Sequence, residues 1–337
     1  MSDFVCYKRM PIWQKNTIPD MFTERHNTKE GTYACLEILE GELEFVIFDG
    51  DQEKTAYFNV QKQPPIIQPE VWHKIKWVSD DIKCQLSFLC EPQYLFYKQN
   101  NLSLPHSEIR YLADIISPCK TLDLGSGRGR NTFYLAERGY DVTAVDISLK
   151  HIDAINDIKE KQQVKNIYTA VYDINLHNIV EKYDLIISTV VLMFLQRGKI
   201  ADIIHNMQKQ TNEGGVNLIV CPVETDSAPY SLLPFKCFLK PRELERYYAD
   251  WEMIKYNENP GHLHKTDENG NRIKLNFATL IARKRINRRA RAYFDCYSSK
   301  ENSCPIIIAP TRFFKLVPLA RCPAIALFDQ IQDDTTE

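Results

Sequence analysis

One glycine-rich turn limits this chain to a small number of folds. An apolar run leads into T-L-D-L-G-S-G-R-G-R-N, residues 121–131. Its glycines, Gly125, Gly127 and Gly129, predict a tight turn between a β-strand and a helix, as in parallel α/β sheets that bind adenosyl cofactors. Asp123 lies two residues before the first glycine. A carboxylate there would repel a pyrophosphate and suit an ammonium group, so the turn favours S-adenosylmethionine over a dinucleotide.

Acidic residues after the next two strands support the same cofactor. Asp146 ends D-V-T-A-V-D, 21 residues after Gly125, where an acid can accept hydrogen bonds from both ribose hydroxyls of an adenosyl ligand. Asp173 follows the third strand, where it can accept from an adenine amino group. Each acid also has a purely structural interpretation, Asp146 as a helix N-cap and Asp173 as a turn residue. Together with the turn, their spacing predicts a cofactor site at one edge of a sheet.

Further residues are predicted to contact the cofactor from that edge. Ser188 and Thr189 end the fourth strand, and the carboxyl ends of strands line the ligand crevice of open α/β sheets. Asn131 opens the helix after the turn, where it either holds the loop or contacts the methionine carboxylate. His106 is predicted to cover the cofactor, with N-capping by Ser107 as a nearly equal alternative. The predicted cofactor contacts are His106, Asp123, Gly125, Gly127, Asn131, Asp146, Ile147, Asp173, Ile174, Ser188 and Thr189.

The 337 residues divide into regions with different patterns. Residues 1–92 carry short runs of β-branched and aromatic residues separated by turn dipeptides, which predicts a small β-barrel or sandwich. Residues 93–105 are predicted to be a linker. Residues 106–284 alternate strands with helices, which predicts an α/β fold with a parallel sheet. Residues 285–337 show no core-forming pattern and are predicted to be a low-order appendage.

The α/β region gives specific candidates for its elements. The strand candidates are Thr121–Leu124, Val142–Asp146, Tyr168–Tyr172, Leu185–Val191 and Val216–Cys221. The helix candidates are Asn131–Arg138, Lys150–Lys161 and Ile200–Gln210, with Glu213-Gly214-Gly215 as the stop after the last. Two later runs, Trp251–Tyr256 and Arg272–Arg283, are expected to close the sheet as a hairpin.

Composition narrows the function classes. A net charge of −2 gives no reason to expect nucleic acid as a partner, and no apolar run approaches the roughly 18 residues of a membrane span. The first residues lack the apolar core of a signal peptide. The ten cysteines form no C-x-x-C motif, which favours reduced thiols and a cytoplasmic location. Whether the chain forms a homo-oligomer stays open.

Longer segments make the chain resemble one family. Residues 106–284 resemble the tellurite-resistance (TehB-type) methyltransferases in the glycine turn and in Y-D-L-I-I-S-T-V-V-L-M-F-L (183–195). The same holds for G-G-V-N-L-I-V (214–220) and for the segment 261–284, which begins G-H-L-H-K-T-D-E-N-G-N-R. Residues 4–90, with C-Y-K-R-M-P-I-W and P-E-V-W-H, are similar to a cupin-like domain that precedes some members. Ser126 replaces the usual cysteine of the family's loop, and we expect no consequence.

The resemblance implies a class I methyltransferase fold of seven strands, the last antiparallel. It also implies methyl transfer from S-adenosylmethionine to tellurite or selenite, and hence tellurite detoxification. Such an acceptor is a small anion, so the site needs cations. The predicted substrate-binding and catalytic residues are His264, Lys265 and Arg272. The arginine would offer the anion paired N–H donors in one plane, and the lysine would offer a compact positive charge. The alternative for this segment is a solvated, charged hairpin loop around Asn269-Gly270.

Other functions stay open at this point. The acceptor is either a chalcogen oxyanion or another small soft nucleophile such as a thiol, and a sensor that binds the cofactor without turnover is a third hypothesis. In the N-terminal region, His26 and His73 stand apart from other ligand-type residues, so no metal is expected there. That region is expected to be structural, to gather substrate, or to present an interaction surface.

Overall fold

The computed structural model of this chain describes residues 4–50, 52–225, 233, 235–266 and 272–286. Within these ranges, the side chains at positions 262, 264–266 and 272 lie outside the description. The chain divides into a unit of residues 1–287 and a second unit of residues 288–337. Most of the predicted appendage lies in that second unit, outside the described residues, so its low order stays a prediction.

The N-terminal region consists of two antiparallel sheets of three strands each, in the orders β1-β6-β2 and β4-β3-β5. The two sheets share one apolar core. Alternation explains how each strand buries one face: in β2 the side chains of Ala34, Leu36 and Ile38 are buried and point to the same side. The strands are β1 (Val5–Gln14), β2 (Tyr33–Glu40), β3 (Glu42–Asp49), β4 (Gln52–Asn59), β5 (His73–Val78) and β6 (Lys83–Cys90).

The second region is built on a seven-stranded sheet in the order β12-β13-β11-β10-β7-β8-β9. The pairs among β7 to β11 are parallel, and β13 runs antiparallel to both β11 and β12. This confirms the predicted class I methyltransferase fold with its antiparallel closing hairpin. The strands are β7 (Lys120–Leu124), β8 (Asp141–Asp146), β9 (Ile167–Val171), β10 (Tyr183–Thr189), β11 (Thr211–Val223), β12 (Glu252–Thr266) and β13 (Arg272–Arg283).

Helices cover both faces of this sheet and complete two apolar cores. Their buried residues recur every three to four positions, as Ile152, Ile155 and Ile158 do. The helices are α1 (Leu95–Gln99), α2 (Ser107–Ile115), α3 (Arg130–Glu137), α4 (Leu149–Lys161), α5 (Ile200–Gln210) and α6 (Glu243–Tyr247). Short 3₁₀ turns lie at Lys15–Thr17, Asp20–Phe22, Pro92–Tyr94, Leu192–Phe194 and Arg197–Lys199.

The strand order places a crevice beside the glycine turn. After β7 the chain adds β8 and then β9 on one side, and it crosses to the other side of β7 for β10. The boundary between β7 and β10 is therefore the point at which the direction of sheet growth reverses. In open α/β sheets, ligands bind at the carboxyl ends of the strands that flank such a point.

Several boundaries differ from the sequence-based expectations. The third strand ends at Val171, so Asp173 lies in the turn beyond it. Helix α5 ends at Gln210 as predicted, but Gly214 and Gly215, expected only to stop that helix, belong to β11, where both pair with the backbone of Lys284. The segment predicted as a linker contains α1, and its residues Tyr97, Leu102 and Leu104 are buried in a core of the second region. Their burial follows from long-range packing, which local composition does not reveal.

The structure adds two observations on the class of protein. No helix among the described residues is both long and apolar enough to cross a membrane. The seven cysteines that the structure describes are all free thiols, and four of them are buried, at positions 84, 90, 221 and 237. Burial raises the pKa of Cys84 to about 11, which keeps its thiol protonated near neutral pH.

Candidate active site

The glycine turn after β7 has the conformation that its sequence predicts. Gly125, Gly127 and Gly129 have φ values of 81°, 56° and 88°, in the left-handed region that favours glycine. A Cβ on Gly125 would lie 2.5 Å from the side chain of Val191, so this glycine also permits a close approach. By contrast, a Cβ on Gly127 would meet no atom within 4 Å, because that side of the loop faces open space.

That open space is part of a cavity of about 730 Å³ at the carboxyl ends of the parallel strands. Its size is within the roughly 300–1,000 Å³ of small-molecule and cofactor sites. Eight of the predicted cofactor residues contribute to its wall. They are Gly125, Gly127, Asn131, Asp146, Ile147, Asp173, Ile174 and Thr189.

Asp146 connects three parts of this wall. Its Oδ2 accepts a hydrogen bond from the backbone N–H of Gly127 over 2.8 Å. Its Oδ1 accepts from the N–H of Ser148 over 2.9 Å and lies 3.1 Å from Nδ1 of His151. The N-cap of α4 is Ser148, so Asp146 is not the cap itself. Each carboxylate oxygen has more than one acceptor position, so Asp146 retains capacity for ribose hydroxyls.

Asp123 lies beneath the loop and not on the cavity wall. Its side chain is 1% exposed and its Oδ2 accepts a hydrogen bond from Oγ1 of Thr132 over 2.7 Å. Burial raises the pKa of this carboxyl to about 6, against the lowering effects of Thr132 and Arg130. Asp123 therefore lies behind the glycine turn, and its contact with the cofactor stays a prediction.

Two other predicted residues also lie off the wall. Ser188 is fully buried, because neighbouring residues of a strand face opposite sides and Thr189 takes the cavity side. His106 is the N-cap of α2, where its Nδ1 accepts from the N–H of Glu108 over 3.2 Å. The N-cap is thus His106 and not Ser107, the alternative considered from sequence. Burial lowers the pKa of His106 to about 4, so the ring is neutral near pH 7 and can accept this bond.

Asn131 holds the site together. Its Nδ2 donates to Oγ1 of Thr189 over 2.9 Å, and its Oδ1 accepts from the backbone N–H of His106 over 3.0 Å. Helix α3, the end of β10 and the start of α2 are therefore joined by one buried amide. The two roles considered for Asn131, holding the loop and contacting the methionine carboxylate, both stay predictions.

The cavity fits an adenosyl ligand with a charged amino-acid end. Ser126 lies on its wall with the side-chain hydroxyl buried and without a partner among the described residues, and a bound ligand would supply one. Ile147 is 64% exposed beside Asp146, an apolar surface suited to packing against a planar ring. Asp173 accepts from the N–H of Asn175 over 2.8 Å at the same edge.

A strained residue closes the cavity on the β10 side. Val190 has a φ of 60°, which is rare for a β-branched residue. Its backbone N–H donates to the carbonyl of Val220 over 2.7 Å, which holds the strand end in this conformation. Val191 follows it and packs over Gly125. Strain of this kind is concentrated at functional sites because packing around them over-determines the backbone.

The closing hairpin extends past the end of the sheet. Asn276 of β13 pairs with Val223, the last residue of β11, and Arg272 pairs with Thr266 four residues further on. At about 3.3 Å per residue, the hairpin projects roughly 13 Å beyond β11. The side chains of His264, Lys265 and Arg272 lie outside the description, whereas their backbone lies in this projecting part of β12 and β13.

Sequence reasoning missed part of the wall. Tyr172 and the run Val190–Leu195 follow strands β9 and β10, so the rule on carboxyl ends could have found them. Arg128 and Arg130 belong to the glycine motif itself. No sequence pattern pointed to Asn101–Ser103 or to Lys236. The missed residues of the wall are Asn101, Leu102, Ser103, Ser126, Arg128, Arg130, Ser148, His151, Tyr172, Asn175, Val190, Val191, Phe194, Leu195 and Lys236.

The described part of the chain contains no cluster of metal-ligand residues. No group of three or more histidine, cysteine, aspartate or glutamate residues there is arranged to hold a metal ion. The rings of His26 and His73 lie with centroids 4.3 Å apart, but they form only a pair.

Comparisons with known proteins agree on one family. The family model for "Tellurite resistance protein TehB" matches residues 88–281, and the model for the "TehB-like domain" matches residues 8–86. A curated relative from Haemophilus influenzae, "Probable S-adenosyl-L-methionine-dependent methyltransferase TehB", is 48% identical over 286 residues, which is 84% of this chain and 99% of the relative. "Hemagglutinin 1" from Eikenella corrodens is 42% identical over 218 residues, 65% of this chain and 72% of that protein.

A solved structure gives the same result. The crystal structure of TehB from Haemophilus influenzae has a TM-score of 0.57 and 48% sequence identity, and the match covers 85% of this chain and 100% of that one. This chain, with its glycine turn, strand-end acids and seven-stranded sheet, therefore matches the relative along nearly the whole length of that protein. The chain belongs to the TehB family and is an S-adenosyl-L-methionine-dependent methyltransferase.

Proposed function

We propose that this methyltransferase methylates a small chalcogen oxyanion, tellurite or selenite, and that it thereby contributes to tellurite detoxification. The family description names tellurite resistance, which supports this choice of acceptor. The observation that carries the proposal is the register of the closing hairpin. Arg272 pairs with Thr266 beyond the end of β11, at the edge of the sheet where the glycine turn and Asp146 lie.

The direction of β13 supports this role for the hairpin. Because β13 is antiparallel to β11, its first residues lie at the carboxyl edge of the parallel strands. His264, Lys265 and Arg272 are close in sequence to the two ends of this projecting segment. A guanidinium and an ammonium group presented together there suit an oxyanion, since arginine offers paired N–H donors and lysine a compact charge.

The chemistry requires positioning more than proton transfer. S-adenosylmethionine supplies a methyl group on a positively charged sulfur. The lone pair of tellurium(IV) or selenium(IV) forms the new bond to the methyl carbon, and the sulfur keeps the electrons of the bond that breaks. No proton has to leave the acceptor before attack, so no general base is needed. Correct orientation alone contributes about 7–11 kcal/mol to such reactions. In this chain, Asp146 holds the glycine loop, and Asn131 joins helix α3 to the end of β10 beside the cofactor cavity.

The test measures formation of S-adenosylhomocysteine by the purified full chain with tellurite, selenite or a small thiol as acceptor. Lys265→Ala and Arg272→Ala are each expected to lower kcat/KM for tellurite by roughly 10- to 100-fold, since a hydrogen bond to a charged group contributes about 1.5–3 kcal/mol. Their affinity for S-adenosylhomocysteine should stay unchanged. Lys274→Ala, which removes an exposed cation further along β13, is the matched control.

Each other outcome has a clear meaning. Full activity in both variants would overturn the role of the hairpin. Turnover with the thiol and none with either oxyanion would replace the acceptor by a soft organic nucleophile. If the protein binds S-adenosylhomocysteine but methylates none of the three acceptors, the proposed substrate class is overturned altogether.

A further inference from the structure

Beside the N-terminal sheets lies a second cavity, of about 700 Å³, and its described wall contains none of the residues predicted to bind the cofactor or the acceptor. Its inner wall is formed by buried apolar side chains that include Trp13, Ala34 and Phe45. Well-packed cores leave few voids larger than a water molecule. A space of this size with a mainly apolar wall has the dimensions of a small-molecule site.

Polar groups inside the cavity lack partners of their own. Thr28 is 8% exposed, lies on the wall, and its Oγ1 has no hydrogen-bond partner among the described residues. His26 and His73 also lie on the wall, with Nδ1 atoms 2.9 Å and 2.8 Å from the carbonyls of Glu24 and Val71. A carbonyl only accepts, so each Nδ1 carries a proton. Burial lowers the pKa of His73 to about 4, so its ring is neutral near pH 7 and its Nε2 keeps a lone pair. The cavity therefore offers hydrogen-bond acceptors to a ligand that carries an N–H or O–H group.

The charges on the wall favour an anion. Four cationic side chains among the described residues line the cavity, and Glu30 is the one carboxylate opposite them. Lys98 is held in place by two bonds, to the carbonyl of Glu30 over 2.7 Å and to Oγ1 of Thr32 over 2.8 Å. The four cations are Lys8, Lys29, Lys98 and Arg130. An excess of positive charge against a low-dielectric wall attracts a negatively charged ligand.

The N-terminal cavity and the cofactor cavity share part of their walls. Asn101, Leu102, Ser103 and Arg130 line both the N-terminal cavity and the cofactor cavity. Arg130 follows Gly129 directly as the first residue of α3, and its Nη1 donates to the carbonyl of Leu104 over 3.4 Å. Any shift of this arginine or of residues 101–103 changes both cavities at once.

We propose that the N-terminal cavity is a second small-molecule site, for an organic anion with an apolar body, and that its occupancy is coupled to cofactor binding through the shared wall. A bare oxyanion such as tellurite does not fit this description, since it has no apolar part and occupies a small fraction of 700 Å³. Ligand binding in the N-terminal cavity is therefore tested separately from the identity of the methyl acceptor.

The binding test uses 8-anilinonaphthalene-1-sulfonate, which has an apolar body, an N–H donor and a negative charge, and N-phenyl-1-naphthylamine, which lacks the charge. Fluorescence titration of the full chain should show saturable binding of the sulfonate, one per chain. Ala34→Phe, which fills the cavity from β2, should weaken it about tenfold or more, because overpacking excludes the ligand. Ala56→Phe is the matched control: Ala56 packs against the same core without lining the cavity.

A second variant, Lys98→Met, tests the site if Ala34→Phe fails to fold. Lys98→Met preserves the side-chain length and should weaken the sulfonate about fivefold or more, while the neutral probe loses less than about twofold. Absence of saturable binding, or unchanged binding in Ala34→Phe, would overturn the site. Equal losses for both probes in Lys98→Met would overturn the preference for anions.

Coupling is measured by calorimetry with S-adenosylhomocysteine in the absence and presence of saturating sulfonate. A change in affinity of about fivefold or more is expected, and thermodynamic linkage requires the same factor in the reverse titration. The change should disappear in Ala34→Phe. Equal affinities with and without the probe would overturn the coupling, and so would a change that persists in Ala34→Phe, because the probe would then act elsewhere.

Discussion

Gly127 donates its backbone N–H to Oδ2 of Asp146 over 2.8 Å, which fastens the glycine loop after the first parallel strand to the end of the second. The same carboxylate accepts from Ser148 at the start of α4. Gly127 and Asp146 both lie on the wall of the cofactor cavity. The side chain of Asp146 therefore sets the position of the loop and also faces the cavity.

Replacing Asp146 should weaken the cofactor site on both counts. Asp146→Asn removes the negative charge and turns one acceptor oxygen into a donor, which opposes the N–H of Gly127 or Ser148. We expect affinity for S-adenosylhomocysteine to fall roughly 10- to 100-fold, as for the loss of hydrogen bonds to a charged group. Calorimetry measures the change. Asp153→Asn, an exposed acid on the same helix α4, is the control, and equal affinities in the two variants would contradict the role of Asp146.

Gly125 should tolerate no side chain. Its φ of 81° costs an L-residue about 1–2 kcal/mol, and a Cβ would press against Val191 at 2.5 Å. Gly125→Ala is expected to lower the melting temperature and to abolish measurable cofactor binding. Gly50→Ala isolates the cost of a positive φ, since a Cβ there meets no atom within 4 Å. Gly198→Ala, with open space and no positive φ, should be neutral. Equal effects of all three changes would refute this account.

These two predictions rest on features that the sequence already revealed. The alternation of apolar residues and the glycine spacing are local, and such local patterns largely determine which segments of an α/β fold form strands and helices. The seven-stranded sheet and its closing hairpin could therefore be predicted. Within the site, Gly125, Gly127 and Asp146 could be found for the same reason, because a turn with positive φ and an acid at a strand end leave a mark in the sequence.

The sequence did not predict the direction of individual side chains or the packing between distant segments. Ser188 and Thr189 are neighbours at one strand end, but the pleat turns Ser188 into the core. Asp123 is in the expected motif and yet lies beneath the loop, bonded to Thr132 of the next helix. The segment 101–103 was predicted to be a linker and lines two cavities. The domain boundaries, the cupin-like classification, the cytoplasmic location and any homo-oligomer stay predictions.

Asp123 should make stability depend on pH. Burial raises its pKa to about 6 in the folded protein, above its value of about 3.9 in an unfolded chain. Between these values the folded state binds more protons, so the free energy of unfolding falls as pH rises. Asp123→Asn removes the charge and keeps an acceptor for Thr132. The stability advantage of Asp123→Asn over the natural chain should grow by about 1 kcal/mol between pH 5 and pH 8.

Urea denaturation across this pH range measures that advantage. Asp157→Asn, which changes an exposed acid on α4, should show no such trend. An advantage of Asp123→Asn that is the same at pH 5 and pH 8 would mean that the Asp123 carboxyl has an ordinary pKa in the folded protein.

Removal of the second unit should leave the enzyme intact. The chain divides after residue 287, and the last described strand, β13, is fixed by pairing with both β11 and β12. A chain that ends at residue 287 is expected to keep its melting temperature within about 2 °C, the shift that corresponds to less than roughly 1 kcal/mol in a protein of this size. Affinity for S-adenosylhomocysteine should also be unchanged. A large loss of either quantity would show that residues 288–337 contribute to the fold.

The reversed direction of β13 separates two kinds of sequence change. Every residue that holds the glycine loop or ends a parallel strand on the cofactor cavity comes before residue 196 in the chain, whereas the hairpin end lies after residue 260. Had β13 run parallel to β11, its first residues would lie at the opposite edge of the sheet. Because it does not, the paired ends of β12 and β13 lie at the same edge of the sheet as the glycine turn. Under the proposed acceptor role of this hairpin end, mutations there would change which acceptor is methylated and leave the earlier residues around the cofactor cavity unaltered.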